Sequence, residues 1–149
     1  MIAVSLRPTR CNWGTLSFAS TLYLCPILDL LLAKVPEEDR PEVRLGLQEA
    51  LVNAAKHGNN LDPTKTIVVH YSYEERQYTW VISDNGSGFD PQRTCEYPED
   101  LLPSEFLDRG RGTCILHKVF DRVHWNCEGT QLVLSRYITK PRWFPFWSS

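Results

Sequence analysis

The chain has 149 residues, of which 42% are hydrophobic and 23% charged, with a formal net charge of −2. That length suits one domain with a real hydrophobic core, and the composition excludes a disordered chain. The near-neutral balance excludes a general pull toward nucleic acid or anionic membrane, so any phosphate recognition must be local.

Residues 1–12 read as an N-terminal extension, 13–138 as the domain and 139–149 as an aromatic tail. Trp13 to Thr21 has the aromatic and β-branched content of a strand. From Leu22 to about Val35, Leu24, Ile27, Leu28, Leu31 and Leu32 recur at helical spacing, and Pro26 fits a first turn. Arg7 and Arg10 precede an apolar stretch, Leu16 to Ala33, but Ser17, Ser20, Thr21, Pro26 and Asp29 interrupt it. Asp29 would be costly inside a bilayer, so the stretch reads as a buried strand and helix rather than a leader or membrane span.

A second helix is predicted from about Pro41 to His57. At 100° per residue Val43, Leu47, Ala50, Leu51 and Ala54 share a core-facing stripe. Glu49, Asn53, Lys56 and His57 gather on another face, roughly 120° away. Gly58 and Asn59 are expected to stop this helix as a left-handed C-cap. Thr66 to Tyr73 and Gln77 to Ser83 read as a hairpin turning at Glu74-Glu75-Arg76. Asp90 to Arg109 reads as a long polar loop with a short helical turn near Ser104 to Leu107, a length typical of a lid or a binding loop. A helix from Gly112 to Phe120 follows, then a hairpin of Arg122 to Cys127 and Thr130 to Tyr137 around Glu128-Gly129. The tail Lys140 to Trp147 is expected to pack across the sheet or meet a partner.

This order implies an α+β fold: a two-layer α/β sandwich, a mixed, mostly antiparallel sheet with helices on one face. The five cysteines, Cys11, Cys25, Cys95, Cys114 and Cys127, lack CxxC spacing and read as reduced thiols of a cytoplasmic protein. The four histidines, His57, His70, His117 and His124, do not supply zinc-ligand pairs.

Three segments carry chemistry. On the second helix, the Glu49 carboxylate can take a proton, the Asn53 amide oxygen is a hard ligand suited to Mg²⁺, and Lys56 can meet phosphate. Phosphoryl transfer needs mainly those parts. Alone, the stripe also fits an ordinary solvated helix face. Asp84 ends an apolar strand ahead of Gly86 and Gly88; its carboxylate can accept from an exocyclic amine while glycine backbone approaches a flat ring. Alone, Asp84-Asn85-Gly86 also fits a tight Asx turn. Gly110-Arg111-Gly112, placed at a helix start, would offer backbone N–H groups to an anion.

Together and in this order the segments resemble the GHKL ATPase superfamily. Glu49 to His57 is similar to its N box, Asp84-x-Gly86-x-Gly88 to the adenine box and Gly110-x-Gly112 to the second glycine box. The run Glu49-Ala50 to His57-Gly58 most resembles the anti-sigma-factor serine/threonine kinases. The resemblance spans about Trp13 to Tyr137 and implies an ATP- and Mg²⁺-dependent kinase. Glu49 would be the general base and Asn53 the Mg²⁺ ligand. Asp84 would bind the adenine amine, and Lys56 and His57 would lie by the phosphates, unless His57 caps the helix end. Gly86, Gly88, Gly110 and Gly112 would form and hinge the lid, which Arg109, Arg111 and Thr113 join. The two arginines would reach the γ-phosphate or lie in solvent, and Thr113 departs from the hydrophobic residue usual there.

The implied substrate is a STAS-type anti-sigma-factor antagonist, with a sigma factor as alternative partner. No direct nucleic-acid or membrane partner is implied, and Trp143 and Trp147 would suit a homodimer interface. Two other readings are a non-catalytic nucleotide-binding partner-switch module and a stand-alone histidine-kinase-like ATPase domain.

Overall fold

The structure, a computed structural model, describes residues 2–6, 13–74, 76–88 and 104–137, with residues 5–6 and 104–111 described by backbone only. In chain order the elements are β1 (Ala3–Leu6), β2 (Trp13–Ala19), α1 (Cys25–Leu32) and α2 (Arg40–Val52), which runs into a π-helical turn, Asn53–Gly58. Then come β3 (Thr66–Glu74), β4 (Gln77–Asp84), α3 (Ser104–Val119), β5 (Arg122–Trp125) and β6 (Gln131–Tyr137). The strands form one sheet in the order β1-β2-β3-β4-β6-β5, antiparallel at every described pairing. This is the expected two-layer α+β sandwich.

Period-two alternation decides which face of the sheet is covered. One register row, Leu16–Val69–Ile82–Leu132–Trp125, crosses five strands on the helix side. Onto that side α1 brings Ile27, Leu28, Leu31 and Leu32, α2 brings Val43, Leu47, Ala50 and Leu51, and α3 brings Leu116; Phe120, just past α3, joins them. Trp80 is fully buried at the centre, stacked on Tyr78 and edge-on to Phe120. Hydroxyls at the end of the β3–β4 hairpin tie the segment around α1 to the sheet: Tyr73 donates to the Leu31 carbonyl at 2.6 Å and Tyr78 to that of Lys34 at 2.8 Å. Burial pushes both phenols above their ordinary pKa, Tyr73 the further, so both stay donors.

Arg136 on β6 locks the helix layer at its far end. Its guanidinium donates to Asp39 at 3.0 Å, to Glu42 at 3.0 Å and to the Val119 carbonyl at 3.0 Å. One side chain thus holds the start of α2 and the end of α3 against the sheet.

The structure departs from the sequence expectations in four places. Ala3–Leu6, read as part of an extension, is an edge strand paired to β2. The second helix abandons α geometry after Val52: the Asn59 N–H bonds to the Ala54 carbonyl, five residues back, at 2.9 Å. Left-handed backbone falls not on Gly58 or Asn59 but on Asn60 and Leu61, with φ of 53° and 56°. The helix expected from Gly112 begins instead at Ser104 and passes through Gly110 and Gly112. Ser104 and Glu105 are good helix-start residues, and two interior glycines cost only about 1 kcal/mol each, too little to break a helix. Residues 90–103 of the expected loop and the tail 139–149 lie outside the described residues. Among those described, no helix is long and apolar enough to cross a membrane.

Candidate nucleotide and phosphoryl-transfer site

A cleft opens between the end of α2 and the β4–β6–β5 end of the sheet. Its open space, mouth included, is about 540 Å³. The helix side contributes Ala50, Asn53, Ala54, His57 and Gly58. The sheet side contributes Ile82, Asp84, Leu132 and Trp125, with Gly88, Gly129 and Thr113 of α3 completing the lining. Ile82, Leu132 and Trp125 are neighbours in the register row, so the floor is an apolar strip ending near one carboxylate, Asp84. Mostly apolar walls with a few convergent polar groups are what a flat heteroaromatic ligand needs.

The π turn decides which residues reach this cleft. A π turn advances each residue by roughly 85° where an α-helix advances 100°. From Asn53 onward that difference accumulates. It brings His57 back beside Asn53 on the cleft wall, and swings Lys56 outward, where it is exposed and outside the lining. It also carries Asn59 onto the core side, where it is fully buried. The α-helical phase used for the sequence therefore placed Glu49 and Asn53 together but misplaced Lys56.

Asp84 lines the cleft at the end of β4, held by close packing. The Asp84 N–H donates to the Thr130 carbonyl at 3.0 Å, and its Oδ1 accepts the Gly86 N–H at 2.8 Å. A Cβ on Gly58 would overlap the Asp84 carboxyl, and one on Gly86 would overlap the Gly58 carbonyl oxygen. Gly88 has φ of +79° and lies against the Glu128 carbonyl. The glycines are here because backbone runs against backbone and carboxylate with no room for a side chain.

The other end holds the acid–amide pair. Where α3 crosses α2, Gly112 lies over both: a Cβ there would be 3.3 Å from Glu49 Oε2 and 3.3 Å from Asn53 Nδ2. Glu49 and Asn53 are both half-buried, and Thr113, next on α3, lines the cleft. Gly110 and Gly112 lie within a helix, so they do not present the helix-start N–H groups expected of them. Arg109 and Arg111 have their backbone in α3, and their side chains lie outside the described residues. Thus Asn53, His57, Asp84, Gly88 and Thr113 line one cleft, while Glu49, Gly86 and Gly112 pack against residues of that lining without lining it themselves. Trp125 was missed because its role depends on strand register, which a single sequence does not reveal.

A profile of the histidine kinase-like ATPase domain matches residues 28–136, from within α1 to within β6. The chain belongs to that family. The matched span contains Glu49, Asn53, Asp84 and Gly112, so the family and the cleft concern the same residues. Within curated proteins, an anti-sigma F factor of a Geobacillus strain is 28% identical over 108 residues, covering 70% of this chain and 74% of that protein. One from Halalkalibacterium halodurans is 25% identical over the same shares, and one from Clostridium perfringens is 22% identical over 66% of this chain and 73% of its own. As a member of this family the chain is kinase-like and binds ATP.

Proposed function

We propose that the chain is a protein serine/threonine kinase that transfers the ATP γ-phosphate to a STAS-type antagonist and holds a sigma factor as its alternative partner. One observation carries the catalytic part: the Glu49 carboxylate and the amide of Asn53, a cleft-lining residue, lie together under Gly112. A module that only bound nucleotide would have no use for a carboxylate there. The relatives' name, anti-sigma F factor, supports the choice of partners.

The donor set fits Mg²⁺. Among the described residues no group of three or more His, Cys, Asp or Glu forms a protein cage. Mg²⁺ favours sites where one protein oxygen shares it with phosphate and water, and the Asn53 amide oxygen is such a donor. Bound there, the ion would neutralise charge on the phosphate oxygens. The chain's own residues do the rest. Asp84 accepts from the adenine amine while Ile82, Leu132 and Trp125 cover the ring. Glu49 takes the proton of the substrate hydroxyl as its oxygen bonds to the γ-phosphorus, and the bridging oxygen leaves with ADP. His57 and Thr113 lie alongside the phosphates, and the family resemblance assigns Arg109 and Arg111 to the γ-phosphate or to solvent. Gly110 and Gly112 let α3 hinge over the site, and Gly86 and Gly88 shape its opposite edge. Residues 13–138 form the kinase domain, to which the preceding segment adds an edge strand.

The test is Mg-ATP labelled at the γ-phosphate, incubated with the chain and candidate STAS proteins. Acid-stable label on a partner serine or threonine, lost in Glu49→Ala while nucleotide still binds, is the expected result. Acid-labile label would point to histidine phosphorylation, and binding without transfer to any partner would overturn the kinase reading.

A further inference from the structure

Asn59 does more than end a helix. Its backbone is right-handed, with φ of −92°, so no demand for left-handed geometry explains an asparagine there. Its side chain is a fully buried amide. The Nδ2 group donates to Ser20 Oγ at 2.6 Å and to the Thr66 carbonyl at 3.0 Å. Its Oδ1 accepts the Asn85 N–H at 2.8 Å. Asn85 in turn accepts the Thr66 N–H at 3.1 Å and the Thr66 hydroxyl at 2.9 Å. Asn59, Thr66 and Asn85 therefore close a ring of hydrogen bonds joining the end of the π turn, the start of β3 and the residue after Asp84.

That ring brackets the base end of the cleft. Gly58, the neighbour of Asn59, abuts the Asp84 carboxyl, and Asn85, the neighbour of Asp84, is gripped by Asn59. Only an amide serves both sides, donating to a carbonyl and a hydroxyl while accepting an N–H. A carboxylate would face the Thr66 carbonyl, and an apolar residue would leave three partners unmet. We propose that Asn59 is a positioning residue that sets the Asp84 carboxylate for the base amine and thereby fixes selectivity for adenine nucleotides. This rests on the reading of Asp84 as the base-contacting group.

The test compares binding of ATP with that of purine riboside triphosphate, which lacks the exocyclic amine, in the full-length chain. Asn59→Ala should weaken ATP by at least about tenfold and the amine-free nucleotide by less than about twofold, collapsing the ratio. Should Asn59→Ala fail to fold, Asn85→Ala opens the same ring at an exposed residue and should lower the ratio partway. Ser20→Ala leaves the ring closed and should keep it. A parallel loss for both nucleotides, or an unchanged ratio, would show that Asn59 only supports the fold. An unchanged ratio in Asp84→Ala would instead sink the reading of Asp84 itself.

Discussion

The two ends of the cleft are built on different terms. At the base end, Gly58, Gly86 and Gly88 press directly on carbonyl oxygens or on the Asp84 carboxyl, and the Asn59 ring locks the strand ends behind them. At the reaction end, α3 touches α2 through Gly112, which rests on the tips of two side chains, Glu49 and Asn53. The first is the stiffer, because Gly86 and Gly88 meet backbone carbonyls and the Asp84 carboxyl against Gly58 is pinned by the Gly86 N–H. The second can adjust, since side-chain tips move at small cost. The proposed kinase would use this division: a fixed socket for the base and an adaptable end where phosphate and protein substrate come and go.

Changes on the reaction side should alter rate and spare binding. The largest effect is expected for Glu49→Ala. Loss of a general base lowers turnover by roughly 10²–10⁴-fold. Nucleotide affinity should stay within about threefold, because Glu49 does not line the cleft. Phosphotransfer rates at saturating ATP, with separate binding titrations, check this; a matching fall in affinity would blur the distinction between the ends.

Changes on the base side should do the reverse. In Gly86→Ala the new methyl would collide with the Gly58 carbonyl oxygen, which belongs to backbone and cannot yield. We expect a loss of about 2–4 kcal/mol of stability, as for other overpacked sites, and ATP binding weakened by more than tenfold. Thermal unfolding with and without ATP measures both. A variant as stable as wild type would mean that this loop is loosely held.

Arg136→Ala tests the comparison from a distance. Removing the guanidinium frees the start of α2 and the end of α3 from β6. Of its two carboxylate partners, Asp39 is largely buried and Glu42 exposed, so the Asp39 and Val119 contacts should dominate. About 1–3 kcal/mol of stability should be lost. Because the crossing of α2 and α3 belongs to the reaction end, turnover should drop by a few fold while nucleotide affinity holds. Equal losses in both would place the two ends on one mechanical unit.

How legible this was follows the range of the interactions. The apolar stripe of α2 and the neighbouring Glu49 and Asn53 depend only on helical phase over a regular stretch, and that could be read directly. Lys56, His57 and Asn59 lie past Val52, where a change in hydrogen-bond spacing rotates each residue; nothing in Asn53-Ala54-Ala55-Lys56 announces it. Asp84 and its glycines were legible as a motif, but the contacts that make Gly58 and Gly86 obligatory join residues far apart in sequence. Gly110 and Gly112 misled because a glycine pair reads as a boundary where a helix starts, whereas here packing over Glu49 and Asn53 gives Gly112 a reason to lie mid-helix. The β1 strand is four residues long, too short for alternation to stand out.

The smallest and most discriminating effect concerns Gly112→Ala. In mid-helix, alanine is favoured over glycine by about 1 kcal/mol. Its methyl would lie 3.3 Å from Glu49 Oε2 and Asn53 Nδ2, so each tip must shift by a few tenths of an ångström. The two consequences have opposite signs. The unfolding midpoint should stay level or rise slightly, while phosphotransfer falls by roughly three- to tenfold, or about 0.6–1.4 kcal/mol in barrier, as the base and the amide leave their places. Gly86→Ala, the same substitution at the other end, should lose stability and binding together. If Gly112→Ala also loses stability by several kcal/mol, the reaction end is as tightly closed as the base end, and the adjustable contact inferred at the α2–α3 crossing does not exist.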